Sequence, residues 1–277
     1  MKIILIGRGE IFYKIFLKLY NKKYLYLVIF DNKNNKQKPS FYNLIRKKNC
    51  NYIVCNDINK PAVIDRIAAK KFDYILSVNN YQIFGDIFLS RFKNKIINYH
   101  NSLIPNFKGL NSIPKAIISR QKYTGISWHL VKKKIDHGPV IFSKKIRILK
   151  NDTAANLTLR CNQICINYIS NFLHILKKKN LKIKKHKIIK DFEISKKMLH
   201  LNSKLKFKYL DSIVRAFNFY PFKNNFGNPY VNLKKKKIFI RKIVFYSSNK
   251  SLCRRRSNSK NVLVKFSDKY VVFKKLL

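Results

Sequence analysis

The chain opens Met1-Lys2-Ile3-Ile4-Leu5-Ile6-Gly7-Arg8-Gly9-Glu10-Ile11-Phe12. A short run of isoleucine and leucine reads as a strand buried on both faces, and the glycine pair stops it. The residues from Glu10 to Tyr20 then continue as a helix. This strand, turn and helix unit recurs along the first half. Strands are expected over Lys2 to Ile6, Leu25 to Phe30, Asn51 to Val54, Phe72 to Val78 and Lys95 to Tyr99. Between them lie helices at Glu10 to Tyr20, Ser40 to Lys48, Pro61 to Lys70 and Phe84 to Phe92, with Pro61 suited to a first helical turn. Apolar strands alternating with helices are the pattern of an α/β domain, and right-handed crossovers make such a sheet mostly parallel.

The fold class is therefore α/β, a Rossmann-like, mostly parallel sheet with crossover helices. Ligands of such sheets gather at the carboxyl ends of the strands, here Gly7, Val78-Asn79-Asn80 and the loop after His100. Gly7-Arg8-Gly9, with Asp31 closing the second strand, matches part of a dinucleotide fingerprint. Phe12 stands where the third glycine belongs, and a bulky ring there obstructs helix-on-strand packing beside a pyrophosphate, so no nicotinamide cofactor is expected. No Walker-type phosphate loop occurs, and the histidines lack a metal-binding spacing.

Beyond the middle of the chain, strands are expected over Thr124 to Lys132 and Val140 to Ile146. A long helix follows over Thr153 to Leu176, with Asp152 as its cap. The chain then changes character. Lysine runs precede a helix at Tyr209 to Phe217 and strands at Lys237 to Phe245, Val262 to Phe266 and Tyr270 to Phe273, the last two joined as a hairpin. A first domain over residues 1–180 and a small, mostly β module over 190–277 follow, with the boundary between Lys177 and Lys190. Arg254 to Ser259 reads as a basic, exposed loop.

Composition constrains partners only weakly. The formal net charge is +49, from 61 basic residues of which 12 are arginine. Excess cations raise affinity for polyanions. Yet Lys, Asn, Ile, Phe and Tyr share AT-rich codons, and codon bias alone produces this composition whatever the protein binds. The five cysteines form no CxxC pair and read as reduced thiols. Cys161 and Cys165, four apart, belong on one helix face as buried packing residues. With no apolar run long enough to span a bilayer and no leader, a cytoplasmic protein is expected, with no membrane partner.

Chemistry concentrates between Asn98 and Gly138. Asn98-Tyr99-His100-Asn101-Ser102-Leu103-Ile104-Pro105 is followed by Gly109, Thr124-Gly125-Ile126-Ser127 and Asp136-His137-Gly138. An amide, an imidazole and a carboxylate thus gather in a chain with only 12 acidic residues and 6 histidines. On a strand continuing through His100, residues 98 and 100 project to the same side and can reach one ligand.

These residues resemble the folate-dependent formyltransferases, which carry an Asn-x-His-x-Ser-Leu-Leu-Pro segment, a following glycine, a Gly-Val/Ile-Thr/Ser strand and Asp-x-Gly at a set distance. Asp136 follows His100 by 36 residues, as in that pattern, and Ile104 for leucine is the one mild departure. The resemblance implies transfer of a formyl group from 10-formyltetrahydrofolate to a primary amine, with Asn98, His100 and Asp136 catalytic and Ser102 and His129 supporting. It also implies a pterin pocket formed by Val78, Asn80, Tyr81, Gln82, Ile83 and Ile135. Ala216 to Pro221 and Asn225 to Pro229 resemble the start of the accessory module of longer members.

The acceptor is read from details. Initiator-tRNA members carry a basic, proline-containing loop after the second strand, whereas this chain has Phe30-Asp31-Asn32-Lys33-Asn34-Asn35. Gly109 to Ser112 and Gly125 to Val131 are closer to members that formylate carrier-bound amino acids or amino sugars. Methionyl-tRNA formyl transfer on initiator tRNA is the alternative, and a non-catalytic RNA-binding relative a further one.

Overall fold

A computed structural model describes residues 1–32, 39–178, 191–222, 224, 226–233 and 236–276. The expected loop residues Lys33 to Asn35, most of the expected boundary segment and Asn225 lie outside these.

Two compact units are present. The first comprises Met1–Gly109, Gly125–Lys145 and residues 161–178. Its strands are β1 (Ile3–Gly7), β2 (Leu25–Asp31), β3 (Tyr52–Cys55), β4 (Tyr74–Val78) and β5 (Ile96–His100), together with β6 (Tyr123–Leu130) and β7 (Val140–Arg147), which extend beyond it. They form one sheet in the order β3-β2-β1-β4-β5-β6-β7. The pairs β1/β2, β1/β4, β2/β3 and β4/β5 are parallel and β5/β6 is antiparallel. The crossover helices are α1 (Gly9–Asn21), α2 (Pro39–Lys47), α3 (Pro61–Ala68) and α4 (Asp86–Arg91). The mostly parallel α/β sheet expected from the sequence is thus the observed one.

Every residue of β1 is buried, as its unbroken apolar run requires. Gly7 ends it beside Val78, where a Cβ would lie 1.8 Å from the Val78 carbonyl oxygen. Strand order reverses between β1 and β4, which makes this end of the sheet the switch point of the fold. Phe12, 0% exposed, packs its ring 5.6 Å from that of Phe30 and fills the space a dinucleotide fingerprint reserves for glycine.

Alternation along β5 and β6 sorts apolar from polar chemistry. Tyr99 pairs with Trp128 and Asn98 with His129. Trp128 stacks at 4.5 Å on Phe172 of the long helix α6 (Ala154–Lys177), whereas Asn98 and His129, one residue along each strand, lie on the opposite face of the sheet. Cys161 and Cys165 of α6 are fully buried, and burial pushes the Cys165 thiol well up. The expected cap of α6 needs correction. The Thr153 hydroxyl accepts from Asn156 N–H at 3.3 Å, the capping pattern, while Asp152 accepts from Leu149 N–H at 2.7 Å and pairs with Arg160.

The second unit comprises Leu110–Thr124, Ile146–Arg160 and residues 191–276. It contains α5 (Ser112–Ile118), α7 (Phe207–Ala216), α8 (Lys250–Arg254) and an antiparallel sheet of β8 (Tyr230–Leu233), β9 (Lys236–Ser247), β10 (Asn261–Lys265) and β11 (Tyr270–Lys275). β10 and β11 form the expected hairpin, and residues 254–259 are exposed as expected. α5, β8 and α8 were not legible. Pro114 and the turn-forming residues before it disguise α5, all of whose residues are buried. Lys115, 2% exposed, lies 3.2 Å from Asp191 and 3.4 Å from Glu193, so two scarce carboxylates neutralise one buried cation.

Trp128→Ala is expected to lower stability by about 3–5 kcal/mol, the usual cost of emptying a large aromatic site. Urea unfolding measures it, and a loss under about 1 kcal/mol would contradict the packing described.

Candidate active site

All three residues expected to be catalytic come together over the carboxyl half of β5, beside β6. Asp136 lies on the loop between β6 and β7, in the left-handed conformation at φ 54°. Two residues on, Gly138 lets the loop close, because a Cβ there would lie 1.6 Å from the Leu130 carbonyl oxygen. Carboxylate Oδ2 of Asp136 lies 3.3 Å from His100 Nδ1 and Oδ1 lies 3.2 Å from His129 Nε2. Gly109 N–H donates to Oδ2 at 2.8 Å. The three side chains are nearly buried: His100 is 9%, Asp136 8% and His129 1% exposed.

His100 has a second oxygen partner, the Phe107 carbonyl, 3.0 Å from Nε2. Both ring nitrogens therefore face acceptors, an arrangement that favours the doubly protonated imidazolium. Phe107 and Asp136, which supply these oxygens, both hold left-handed backbone, at φ 51° and 54°. A bulky residue in that conformation costs about 1–3 kcal/mol, which the surrounding contacts must offset.

Asn98 bridges the neighbouring strands. Ser77 of β4 donates its hydroxyl proton to Asn98 Oδ1 at 2.8 Å, and Asn98 Nδ2 lies 3.3 Å from His129 Nε2. A polar chain thus runs from Ser77 through Asn98, His129 and Asp136 to His100. Ser102 stands apart from it. Its hydroxyl donates to the Asn106 carbonyl at 2.6 Å, and its own carbonyl accepts from Ser127 at 2.6 Å, so it shapes the 102–106 loop.

Burial alone raises the Asp136 carboxyl. The hydrogen bond from His129, the charges of His100 and His129 and the Gly109 N–H outweigh it and hold the group at about 2, against an ordinary 3.8. Asp136 is therefore an anion throughout the neutral range.

Residues expected in the pterin pocket divide into two sets. Val78 and Gln82 are turned inward: Val78 is fully buried, and Gln82 donates to Asp31 Oδ1 at 2.9 Å and the Cys55 carbonyl at 3.0 Å. Asn80 is spent on a turn, its Nδ2 donating to the Gln82 carbonyl at 2.9 Å. Asp31 also accepts from Tyr81 N–H at 2.8 Å, and Asn59 donates to the Ile83 carbonyl at 3.0 Å. These bonds brace the 79–85 loop and leave the side chains of Tyr81 and Ile83 exposed, as is Ile135 before Asp136. Tyr81 lies 3.9 Å over the Arg8 guanidinium. Of the residues expected in the pterin pocket, Tyr81, Ile83 and Ile135 thus expose their side chains, whereas those of Val78 and Gln82 are buried.

Sequence reasoning missed Ser77, Phe107 and the amide of Gly109. It placed His129 in a supporting role without its direct bond to Asp136. Only the β5/β6 register puts His129 opposite Asn98, and loop lengths do not disclose a register. Among the described residues no His, Cys, Asp or Glu cluster could hold a metal ion; at Asp136 each imidazole engages a different carboxylate oxygen.

The α/β sheet thus carries a buried imidazole and carboxylate and a half-buried amide over the carboxyl half of β5. The formyl transferase family matches residues 1–189, more than half of the chain. Methionyl-tRNA formyltransferase of Mycoplasmopsis pulmonis is 29% identical over 235 residues, 80% of this chain and 79% of that protein. The same enzyme of Buchnera aphidicola subsp. Schizaphis graminum is 33% identical over 153 residues, 54% of this chain and 48% of that protein. An N-formyltransferase of Helicobacter canadensis, solved with folinic acid and dTDP-3-aminofucose, superposes with a TM-score of 0.72 at 17% identity and covers 100% of both chains. The chain aligns with about half the length of some curated relatives, 48% and 54% in two cases. The chain belongs to the formyl transferase family. No helix among the described residues is long and apolar enough to cross a membrane.

Because the folded Asp136 value lies below the ordinary one, ionisation contributes stability that is present above pH 3.8 and lost as pH falls through about 2. Its size is of order 2 kcal/mol. In urea unfolding between pH 5 and 2, wild type should lose that much more stability than Asp136→Asn. Parallel losses would show the carboxylate to be unperturbed.

Proposed function

We propose that this chain transfers a formyl group from 10-formyltetrahydrofolate to the primary amine of a small-molecule or carrier-bound acceptor, an amino sugar or a carrier-bound amino acid. The observation that carries this reading is the largely buried network joining Asn98, His129, Asp136 and His100 at the carboxyl end of β5. The amine nitrogen attacks the formyl carbon, negative charge grows on the formyl oxygen, and N10 of the folate leaves after taking up a proton. The products are the formamide and tetrahydrofolate.

Each residue has a part in that sequence. An Asn98 amide N–H donates to the developing oxyanion, and His100 shares its Nε2–H between that oxygen and the Phe107 carbonyl. Asp136, ionised and fixed by the Gly109 N–H, stabilises the imidazolium and leads the proton lost by the amine towards N10 through water. Tyr81, Ile83 and Ile135 offer the exposed apolar surface that a pterin ring needs. Ser102 and His129 support the loop and the carboxylate.

The whole-length likeness to the Helicobacter canadensis enzyme, which was solved with a nucleotide-linked amino sugar, favours an amino-sugar acceptor. A second reading, methionyl-tRNA formyl transfer on initiator tRNA, is favoured by the identity to the Mycoplasmopsis pulmonis enzyme across 80% of this chain. A non-catalytic RNA-binding role is disfavoured by the intact polar network, which such a protein does not need.

The test supplies 10-formyltetrahydrofolate with nucleotide-linked amino sugars, carrier-bound amino acids and charged initiator tRNA, and follows release of tetrahydrofolate. Release with an amino sugar alone supports the first reading, and release with charged tRNA alone supports the second. No release with any acceptor, combined with no folate binding, rejects both. His100→Ala should abolish turnover and leave folate affinity within about threefold, while Asn98→Ala should lower kcat by about 100- to 1000-fold. Unchanged turnover in either variant would remove that residue from the mechanism.

A further inference from the structure

Ser77 belongs to the strand that forms the wall of the site, and its neighbours Leu76 and Val78 are fully buried. It stands directly opposite Asn98 in the parallel β4/β5 ladder and is 1% exposed. Among the described residues the partner of its hydroxyl is Asn98 Oδ1, 2.8 Å away. A serine in the middle of a buried strand that spends its hydroxyl on a catalytic amide invites a reason.

The reason lies in the symmetry of a carboxamide. Its oxygen and nitrogen ends have nearly the same shape, so packing does not distinguish them, and only hydrogen-bond partners decide which end faces the reacting group. His129 cannot decide alone. Its Nε2 lies 3.3 Å from Asn98 Nδ2 and 3.2 Å from Asp136 Oδ1, and because its N–H is given to the carboxylate it offers the amide nitrogen no free lone pair. Ser77 breaks the tie. In the observed orientation its buried O–H donates to Oδ1; in the reversed one Asn98 would become the donor and the serine proton would be left with no acceptor. An unsatisfied buried donor costs about 1–3 kcal/mol, enough to hold the amide one way round.

We infer that Ser77 is a positioning residue for formyl transfer: it binds Asn98 Oδ1 and thereby presents the amide N–H groups to the formyl oxygen. The inference rests on the proposed role of Asn98 as oxyanion donor. Ser77 itself touches neither substrate, so its loss acts on kcat through the fraction of amides correctly oriented, and leaves folate binding unchanged.

Four variants test it, assayed in the full chain with whichever acceptor supports release of tetrahydrofolate. Ser77→Ala should lower kcat by about five- to tenfold with KM for 10-formyltetrahydrofolate within twofold. Ser77→Thr and Ser77→Val have the same shape and differ in the hydroxyl, so any misfit of the added methyl is common to both. Thr should retain at least five times the kcat of Val, a comparison that holds even if Ser77→Ala folds poorly. In an Asn98→Ala background Ser77→Ala should have no further effect. Equal kcat in the Thr and Val variants, or additive losses in the double variant, would overturn the positioning role while leaving Asn98 in place. An Asn98→Ala protein with full kcat would remove the proposed role of Asn98 and this inference with it.

Discussion

One carboxylate organises the candidate site. Asp136 takes an imidazole on each oxygen and a backbone N–H besides, and these partners come from β5, from β6 and from the loop after β5. Desolvation works against such a buried anion, and the hydrogen bonds and charges of its neighbours outweigh it. The consequences spread outward. The 131–138 loop must deliver the carboxylate in left-handed backbone and pass within contact of Leu130, which only glycine at position 138 allows. The 101–109 loop must present the Phe107 carbonyl and the Gly109 N–H together, and Ser102 and Ser127 brace it to do so.

A second constraint is the period of two along β5 and β6. Tyr99 and Trp128 form the packed side under α6, and Asn98 and His129 the polar side. The same strands thus anchor the core and display the chemistry, and a one-residue slip would bury the amide and expose the indole. The 79–85 loop follows the same economy: Gln82 and Asp31 spend their polar atoms inward, and the apolar side chains of Tyr81 and Ile83 remain outward.

Much of this was legible in the sequence. Unbroken apolar strands separated by helical segments announced the α/β sheet. Asn98, His100 and Asp136 stood out because acids and histidines are so scarce among 277 residues. What stayed hidden depended on through-space register. His129 and Ser77 matter because β6 and β4 set them opposite Asn98, and neither neighbourhood is written in local spacing. α5 was hidden by Pro114, and the cap of α6 was misassigned because Asp152 and Thr153 are both good capping residues and only geometry chooses between them. The charge of +49 said little, since codon bias explains it as well as a polyanionic partner does.

The most direct test of the account is single-turnover transfer of a carbon-13 formyl group from 10-formyltetrahydrofolate to the acceptor, followed by NMR in wild type and Asp136→Asn. The account predicts stoichiometric formamide in wild type, and in the variant a transfer step slowed by about 100-fold or more with donor still bound. Equal transfer rates in the two proteins would contradict the central place given to Asp136.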